Sequence, residues 1–258
     1  MPSTILLSPQ NSALRTLTLS RLQLDQEAPV CTVETQGEEL LLYLGIGKVI
    51  VAIEHVAEWS LGGRRKVIDP GVAVVRVPAG RPQRLDVHLC DFSADMLIAS
   101  VPGSASDAGF VCHMEDVWSH QVGEGTHQRE VREVPTPAGY AISCGETINP
   151  PGGVSSWPPH ANAEDLAKFQ AGVTTWEEAM FFACASPGFA VIAGYYSGGQ
   201  YEDRIIRVEN GSAHAMVLGS HSIYAAPDSS IWYFWAYLGD ALKKEYRRWA
   251  TDLSTYRK

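Results

Sequence analysis

The 258-residue chain (28.1 kDa) is longer than a typical single domain, so one large or two modest domains are expected. With 45% hydrophobic and 9% aromatic residues it has the material for a real core, which excludes a disordered chain. A formal charge of −9 (pI about 5.3) repels nucleic-acid phosphates and anionic membranes, so neither is an expected partner.

The N-terminus, MPSTILLSPQ, has no basic region before its short apolar stretch, so no secretory signal is expected. No run of eighteen apolar residues follows, so no membrane span is expected either. Cys31, Cys90, Cys112, Cys144 and Cys184 are scattered, odd in number and without CxxC spacing. They read as free thiols in a reducing compartment, and a cytoplasmic location is expected.

Short apolar or alternating runs then recur with turn residues between them: 39–44, 49–53, 72–77, 84–89 and 96–100. That spacing, punctuated by Gly and Pro, predicts an all-β sandwich or barrel. Arg64-Arg65-Lys66 forms a short basic cluster, read as solvated surface. The small-residue stretch PGSASDAG after Val101 suits a linker. A second set of strands is predicted over 140–144, 154–157, 179–184, 189–196, 204–208, 213–218, 222–225 and 231–237. Leu242, Tyr246, Trp249 and Leu253 fall at helical spacing, which predicts a short C-terminal helix over 240–253. Weak similarity between Arg76-Val77-Pro78-Ala79-Gly80 and Met216-Val217-Leu218-Gly219-Ser220 suggests a duplicated β unit. The expected architecture is a bicupin, two jelly-roll β-barrel domains in one chain. Its expected parts are a structural N-terminal domain over 1–105 and a C-terminal domain over 106–258 that carries the site.

The densest signal is GETINPPGGVSSWPPH (145–160), followed by Glu178 in WEEAMFF and His221 in VLGSHSIYAAP. Prolines at 150, 151, 158 and 159 forbid helix and favour an extended approach to a strand. The order imidazole, carboxylate, imidazole on separate strands is the one a cupin barrel uses to build a metal site. In extended backbone residues two apart share a face, so Asn162 stands beside His160. A neutral amide oxygen is a weaker donor than imidazole for a borderline cation. The donor set is therefore His160, Glu178 and His221, with Asn162 as a weak ligand or site-lining residue.

These segments, with EEAMFF (177–182), SPGFAVIAGYY (186–196), RVENG (207–211), LGSHSIYAAP (218–227) and the weaker VGEGTHQREVREV (122–134), resemble the 5-deoxy-glucuronate isomerases of myo-inositol catabolism. That group is related to the 4-deoxy-threo-hexosulose-uronate ketol-isomerases. The resemblance implies a metal-dependent aldose–ketose isomerase of carbohydrate metabolism, with His160, Glu178 and His221 as ligands of a divalent metal, zinc first, iron or manganese otherwise. The family's His-x-His is here His160-Ala161-Asn162. Trp235 replaces an asparagine, and Ser222 stands where a proline is expected.

An acidic sugar as small-molecule partner directs attention to arginines, because a guanidinium holds a carboxylate in a bidentate pair. Arg129 and Arg132, with Tyr233, are the substrate-binding candidates, and Arg204 and Arg207 carry less weight. Tyr195, Tyr196, Tyr224 and Trp235 are further candidates for lining the pocket. Among the remaining histidines His214 stands out, one strand-length before His221. No residue is assigned as general base. Two alternatives stay open: a non-heme Fe(II) oxygenase, because two histidines and one carboxylate form its facial triad, and a degenerate, non-catalytic bicupin that binds a sugar acid. A homo-oligomer is a further expectation.

Overall fold

A computed structural model describes residues 3–80, 82–103, 109–114, 117–162, 177–184, 190–195, 204–216, 220–238 and 247–249; for 158–162, 192–195, 204, 220 and 247–249 it describes the backbone alone. In chain order the strands are β1 (Ser3–Leu7), β2 (Thr18–Asp25), β3 (Val30–Glu34), β4 (Glu39–Ile46), β5 (Lys48–Ile53), β6 (Ala57–Gly62), β7 (Ala73–Val77), β8 (Arg84–Leu89), β9 (Ser93–Val101) and β10 (Val111–His113). They continue as β11 (Trp118–Val122), β12 (Arg129–Val134), β13 (Ser143–Asn149), β14 (Val154–Asn162), β15 (Glu177–Cys184), β16 (Ala190–Tyr195), β17 (Arg204–Val208), β18 (Ala213–Met216), β19 (Ser220–Ala225), β20 (Ile231–Leu238) and β21 (Arg247–Trp249). A 3-10 turn, Gly125–His127, precedes β12.

The chain divides into two compact units, 1–118 with 133–144, and 119–132 with 145–258. The first unit contains a sheet of order β1-β2-β9-β4-β7-β10 and another of order β3-β8-β5-β6. Sequence chemistry sets the position of each strand. In β4, ELLLYLGI, every residue but the last is buried, as a strand flanked by β9 and β7 and covered on both faces requires. By contrast, β5 alternates buried and half-buried positions and faces the core on one side only. The β4–β5 turn uses Gly47 at φ 91, where an added Cβ would strike Ser93 O. The core formed between these sheets is aliphatic: Leu22, Leu42, Leu44, Val49, Val51, Leu61, Val75, Leu85, Val87 and Met96 are among its members.

The basic cluster at 64–66 is not all solvated surface. Arg64 is buried; its Nε donates to Gly45 O at 2.5 Å and its Nη2 to Leu44 O at 3.2 Å, with the guanidinium 5.6 Å from the Tyr43 ring centroid. A second buried guanidinium, that of Arg76, donates to Ile142 O at 2.7 Å and Pro135 O at 3.1 Å. Glu39 accepts the amides of Ala141 and Ile142 at 2.7 and 2.9 Å. These bonds hold 133–144 in the first unit, and β10 pairs there with β7. The compact units therefore do not follow a single cut at 105.

The two sheets built mainly from the second unit have the orders β11-β12-β13-β20-β15-β18 and β17-β16-β19-β14-β21. Between them lies a core of Met180, Phe182, Cys184, Ala190, Val208, Met216, Ile223, Ala225, Ile231, Tyr233 and Trp235. Two sequence expectations need correction. The strand expected over 140–144 runs instead over Ser143–Asn149. The part of the expected C-terminal helix that is described, Arg247–Trp249, is a strand paired with Ala161 and its neighbours on β14; the rest of that segment lies outside the described residues. Helical spacing over so short a stretch is overridden by pairing at a free sheet edge.

Candidate metal and sugar-acid site

Alternation along each strand decides which candidate residues face the second unit's core. On β15, Met180, Phe182 and Cys184 belong to that core, so Glu178 shares their face. It is buried, and it stands opposite Tyr237 of β20 and Met216 of β18. On β19, Ile223 and Ala225 belong to the same core, so His221 faces it from the other sheet; it too is buried. His160 on β14 is the direct register partner of His221, and Asn162 is the partner of Arg247 on β21. The side chains of His160 and Asn162 lie outside the described residues. Among the described residues no group of three or more His, Cys, Asp or Glu side chains stands together as a metal cage.

Glu178 and His221 face one core from its two sheets, and the register brings a second histidine opposite His221. A buried imidazole and a buried carboxylate, with a second histidine on the paired strand, are donor chemistry that fits a borderline divalent cation.

The inward face of β13 adds polar groups that the sequence reading missed. Thr147 Oγ1 accepts the indole N–H of Trp235 at 3.2 Å. Asn149 Nδ2 donates to Ser155 Oγ at 3.0 Å and to Ile223 O at 3.2 Å, and Tyr233 Oη donates to the same Ser155 Oγ at 2.9 Å. Gly145 keeps this face open to Trp235, since an added Cβ would overlap the indole. The signal was present in GETINPPGG as polar residues at alternate positions, but alternation has no sign until a partner strand fixes it.

Burial pushes the Tyr233 hydroxyl above its ordinary pKa and the Glu178 charge adds to this; its hydrogen bonds with Ser155 and Thr147 and the Arg129 charge act the other way. Tyr233 therefore stays a neutral donor and lies within electrostatic reach of both Glu178 and Arg129. Arg129 is half-buried and shares its strand face with Val131, which packs on the core. Its Nη1 donates to His127 O at 3.1 Å, in the 3-10 turn that lies against β14.

Arg132 occupies the other face of β12. Its guanidinium pairs with Glu130 at 2.6 Å and Glu146 at 2.7 Å, and Glu146 also accepts Trp232 Nε1 at 2.7 Å. The structure thus separates Arg132 from Arg129 and Tyr233, which were candidates together. Arg207 is exposed and paired with Glu209 at 2.9 Å, and Tyr224 lies on the opposite face of β19 from His221. The side chains of Arg204 and Tyr195, and all of Tyr196, lie outside the described residues. His214 on β18 stands opposite Met180 on the inward face, edge-on to Phe182 with ring centroids 6.0 Å apart. Its Nε2 is buried with no hydrogen-bond partner among the described residues, and burial holds its pKa below the ordinary 6.5.

Two jelly rolls in one chain, one of them lined by histidine, carboxylate and hydroxyl groups, define a bicupin. Residues 3–255 match the model of the KduI/IolB family, and the chain belongs to that family, which is known for sugar-acid isomerases. An isomerase role in general follows from that membership. Among solved structures, an IolB-like protein from Salmonella typhimurium LT2 superposes with a TM-score of 0.79 at 20% identity, over 95% of this chain and 90% of that one. An oxalate decarboxylase from Lactobacillus farciminis, in complex with formate, superposes with a TM-score of 0.64 at 11% identity, over 92% and 81%. At these identities the likeness concerns the fold. No curated protein matches the sequence. Among the described residues no helix is long and apolar enough to cross a membrane.

Proposed function

We propose that this protein is a metal-dependent aldose–ketose isomerase acting on 5-deoxy-glucuronate or a similar acidic sugar, as a cytoplasmic enzyme. The observation that carries the reading is the pair Glu178 and His221, both buried and both facing the second unit's core from opposite sheets, in a chain of this family. With His160 they are the residues that would hold a divalent cation, zinc first, with iron or manganese as alternatives; Asn162, two positions along β14, would add at most a weak oxygen donor. When bound, such a cation supplies Lewis-acid polarisation of the sugar carbonyl.

The remaining roles belong to the chain itself. Isomerisation moves the C-2 hydrogen to C-1 and the O-2 hydroxyl hydrogen to O-1, so it needs no oxidant. Arg129 would hold the substrate carboxylate through its guanidinium. Tyr233, kept protonated by its burial, holds the Ser155–Asn149 polar wall in place and offers a neutral dipole rather than a second anion beside Glu178. The aromatic and sulfur side chains around Phe182, Met180 and Trp235 exclude water from the reacting carbons.

Proton NMR of the purified protein with 5-deoxy-glucuronate, after loading with zinc, iron(II) or manganese(II), tests the reading. Growth of ketose resonances at the expense of the aldose is expected. Absence of conversion with every metal fully loaded would overturn it.

A further inference from the structure

We propose that Ser222 is a positioning residue that fixes the register in which His160 stands opposite His221. This rests on the reading of those histidines as donors to one cation. The strands β14 and β19 pair Ser155 with Ile223 and next pair His160 with His221. Between these points β14 carries Ser156, Trp157, Pro158 and Pro159, whereas β19 carries Ser222 alone. A bulge of that size interrupts the ladder, and its two prolines have no N–H with which to restore it. Ser156 sits at φ 54, a left-handed conformation that a residue with a Cβ adopts only when its surroundings hold it there.

The bond that secures the neck of this bulge comes from a side chain. Ser222 Oγ donates to Ser156 O at 2.8 Å, and both residues are buried, Ser222 completely. The hydroxyl takes the place of a missing ladder donor, and it stands between the two paired positions that define the register on either side. Without it the Ser156 carbonyl loses this donor in a place water does not reach, and the bulge can redistribute its extra residues along β14. A one-residue slip reverses the face of each position on that strand, which would take His160 out of opposition to His221. Ser222 thus acts on the donor set through backbone geometry while its own side chain lies on the other face of β19.

Ser222→Ala and Ser222→Thr in the full chain test this with two readouts: zinc affinity by chelator competition, and hydrogen–deuterium exchange of segments 154–162 and 220–225. The alanine variant is expected to bind zinc about 10- to 100-fold more weakly, the usual effect of removing a group that orients a ligand. It should also exchange faster in both segments, with 39–53 in the first unit unchanged. The threonine variant retains the hydroxyl and should stay close to wild type in both readouts. Unchanged exchange in the two segments, or unchanged zinc affinity in a wild type that binds zinc, would overturn the proposal. Should the wild type bind no zinc while Ser222→Ala still exchanges faster, the positioning role stands and the metal falls out of the proposed function. If the alanine variant does not fold, Ser222→Cys, with similar volume and a weak donor, reads the same quantities. Intermediate losses are then expected, and wild-type values would overturn the assignment.

Discussion

The two units have related β architectures and bury different chemistry. The core of the first is leucine, valine, isoleucine, alanine and methionine, and its buried arginines, Arg64 and Arg76, donate to backbone carbonyls that hold loops in place. The core of the second contains Tyr233, Trp235, Phe182, two methionines and a cysteine, and on the same inward faces lie Glu178, His221, His214, Thr147 and Asn149. Burying a polar group costs stability unless other groups satisfy it, so an interior of this kind is retained at a cost that an aliphatic one avoids. The difference shows that the fold needs none of this chemistry. A jelly roll closes equally well over Leu42 and Val75. The polar interior of the second unit is therefore the part to test for function.

The strongest way to break the comparison is to remove a donor from one unit and packing from the other. Glu178→Gln and His221→Ala are expected to lower turnover by at least about 100-fold, the scale of a group acting on developing charge, and to abolish stoichiometric metal in elemental analysis. Leu42→Ala, at a fully buried position of the first unit, should cost about 2–5 kcal/mol of stability, leaving the metal content of the folded protein unchanged. Metal retained in both donor variants would sink the site assignment.

Next in size is the outward face of the second unit. Arg132 and Glu146 are both deeply buried, and removing one partner of such a pair typically costs about 3–5 kcal/mol because the other charge is left without compensation. Arg132→Met should therefore lower the denaturation midpoint sharply while the folded fraction keeps its KM for an acidic sugar. Arg129→Gln should do the reverse. Loss of a charged hydrogen bond to a carboxylate is worth about 1.5–3 kcal/mol, so KM should rise roughly 10- to 100-fold for a uronate and little for a neutral sugar of the same skeleton. Equal effects on both sugars would remove Arg129 from carboxylate binding.

That contrast also marks where sequence reading stopped. The strands were readable because Gly and Pro punctuate apolar runs, and the predicted runs 84–89 and 204–208 coincide with β8 and β17. The burial of Glu178 and His221 was readable because both lie within strongly apolar segments. The face of Arg132 was not readable. In REVREV the valines Val131 and Val134 fall on opposite faces, so alternation alone assigns neither arginine inward. Only the pairing of β12 in its sheet makes that choice. The Ser222–Ser156 bond was hidden for a related reason: it depends on a register shift that no local pattern encodes.

Protonation offers a gentler probe, and the two units should respond at opposite ends of the pH scale. In the first, burial and the Glu39 charge push Tyr140 up to about 12 from 10.0. The unfolded chain releases that proton first, so stability is intact below pH 10 and declines as pH rises from 10 towards 12. Tyr140→Phe should remove that decline, although it also loses the hydroxyl's bond to Gly109 O at 2.6 Å. A decline of the same slope in the phenylalanine variant would assign it to another group.

The smallest expected effect is that of His214 in the second unit. Burial holds its folded pKa below 6.5, so above pH 6.5 the imidazole is neutral in both states and its contribution is constant. As pH falls through 6.5 the unfolded chain binds the proton first, which favours unfolding; stability is lost until the folded pKa is passed, and no more is lost below it. His214→Gln keeps a polar group on β18 and cannot titrate, so its stability should be flatter than that of wild type over this window. Exchange of the β15 segment, which packs against His214 through Phe182, supplies the local readout. Acid sensitivity of β15 that survives unchanged in His214→Gln would show that another group in this interior takes up the proton.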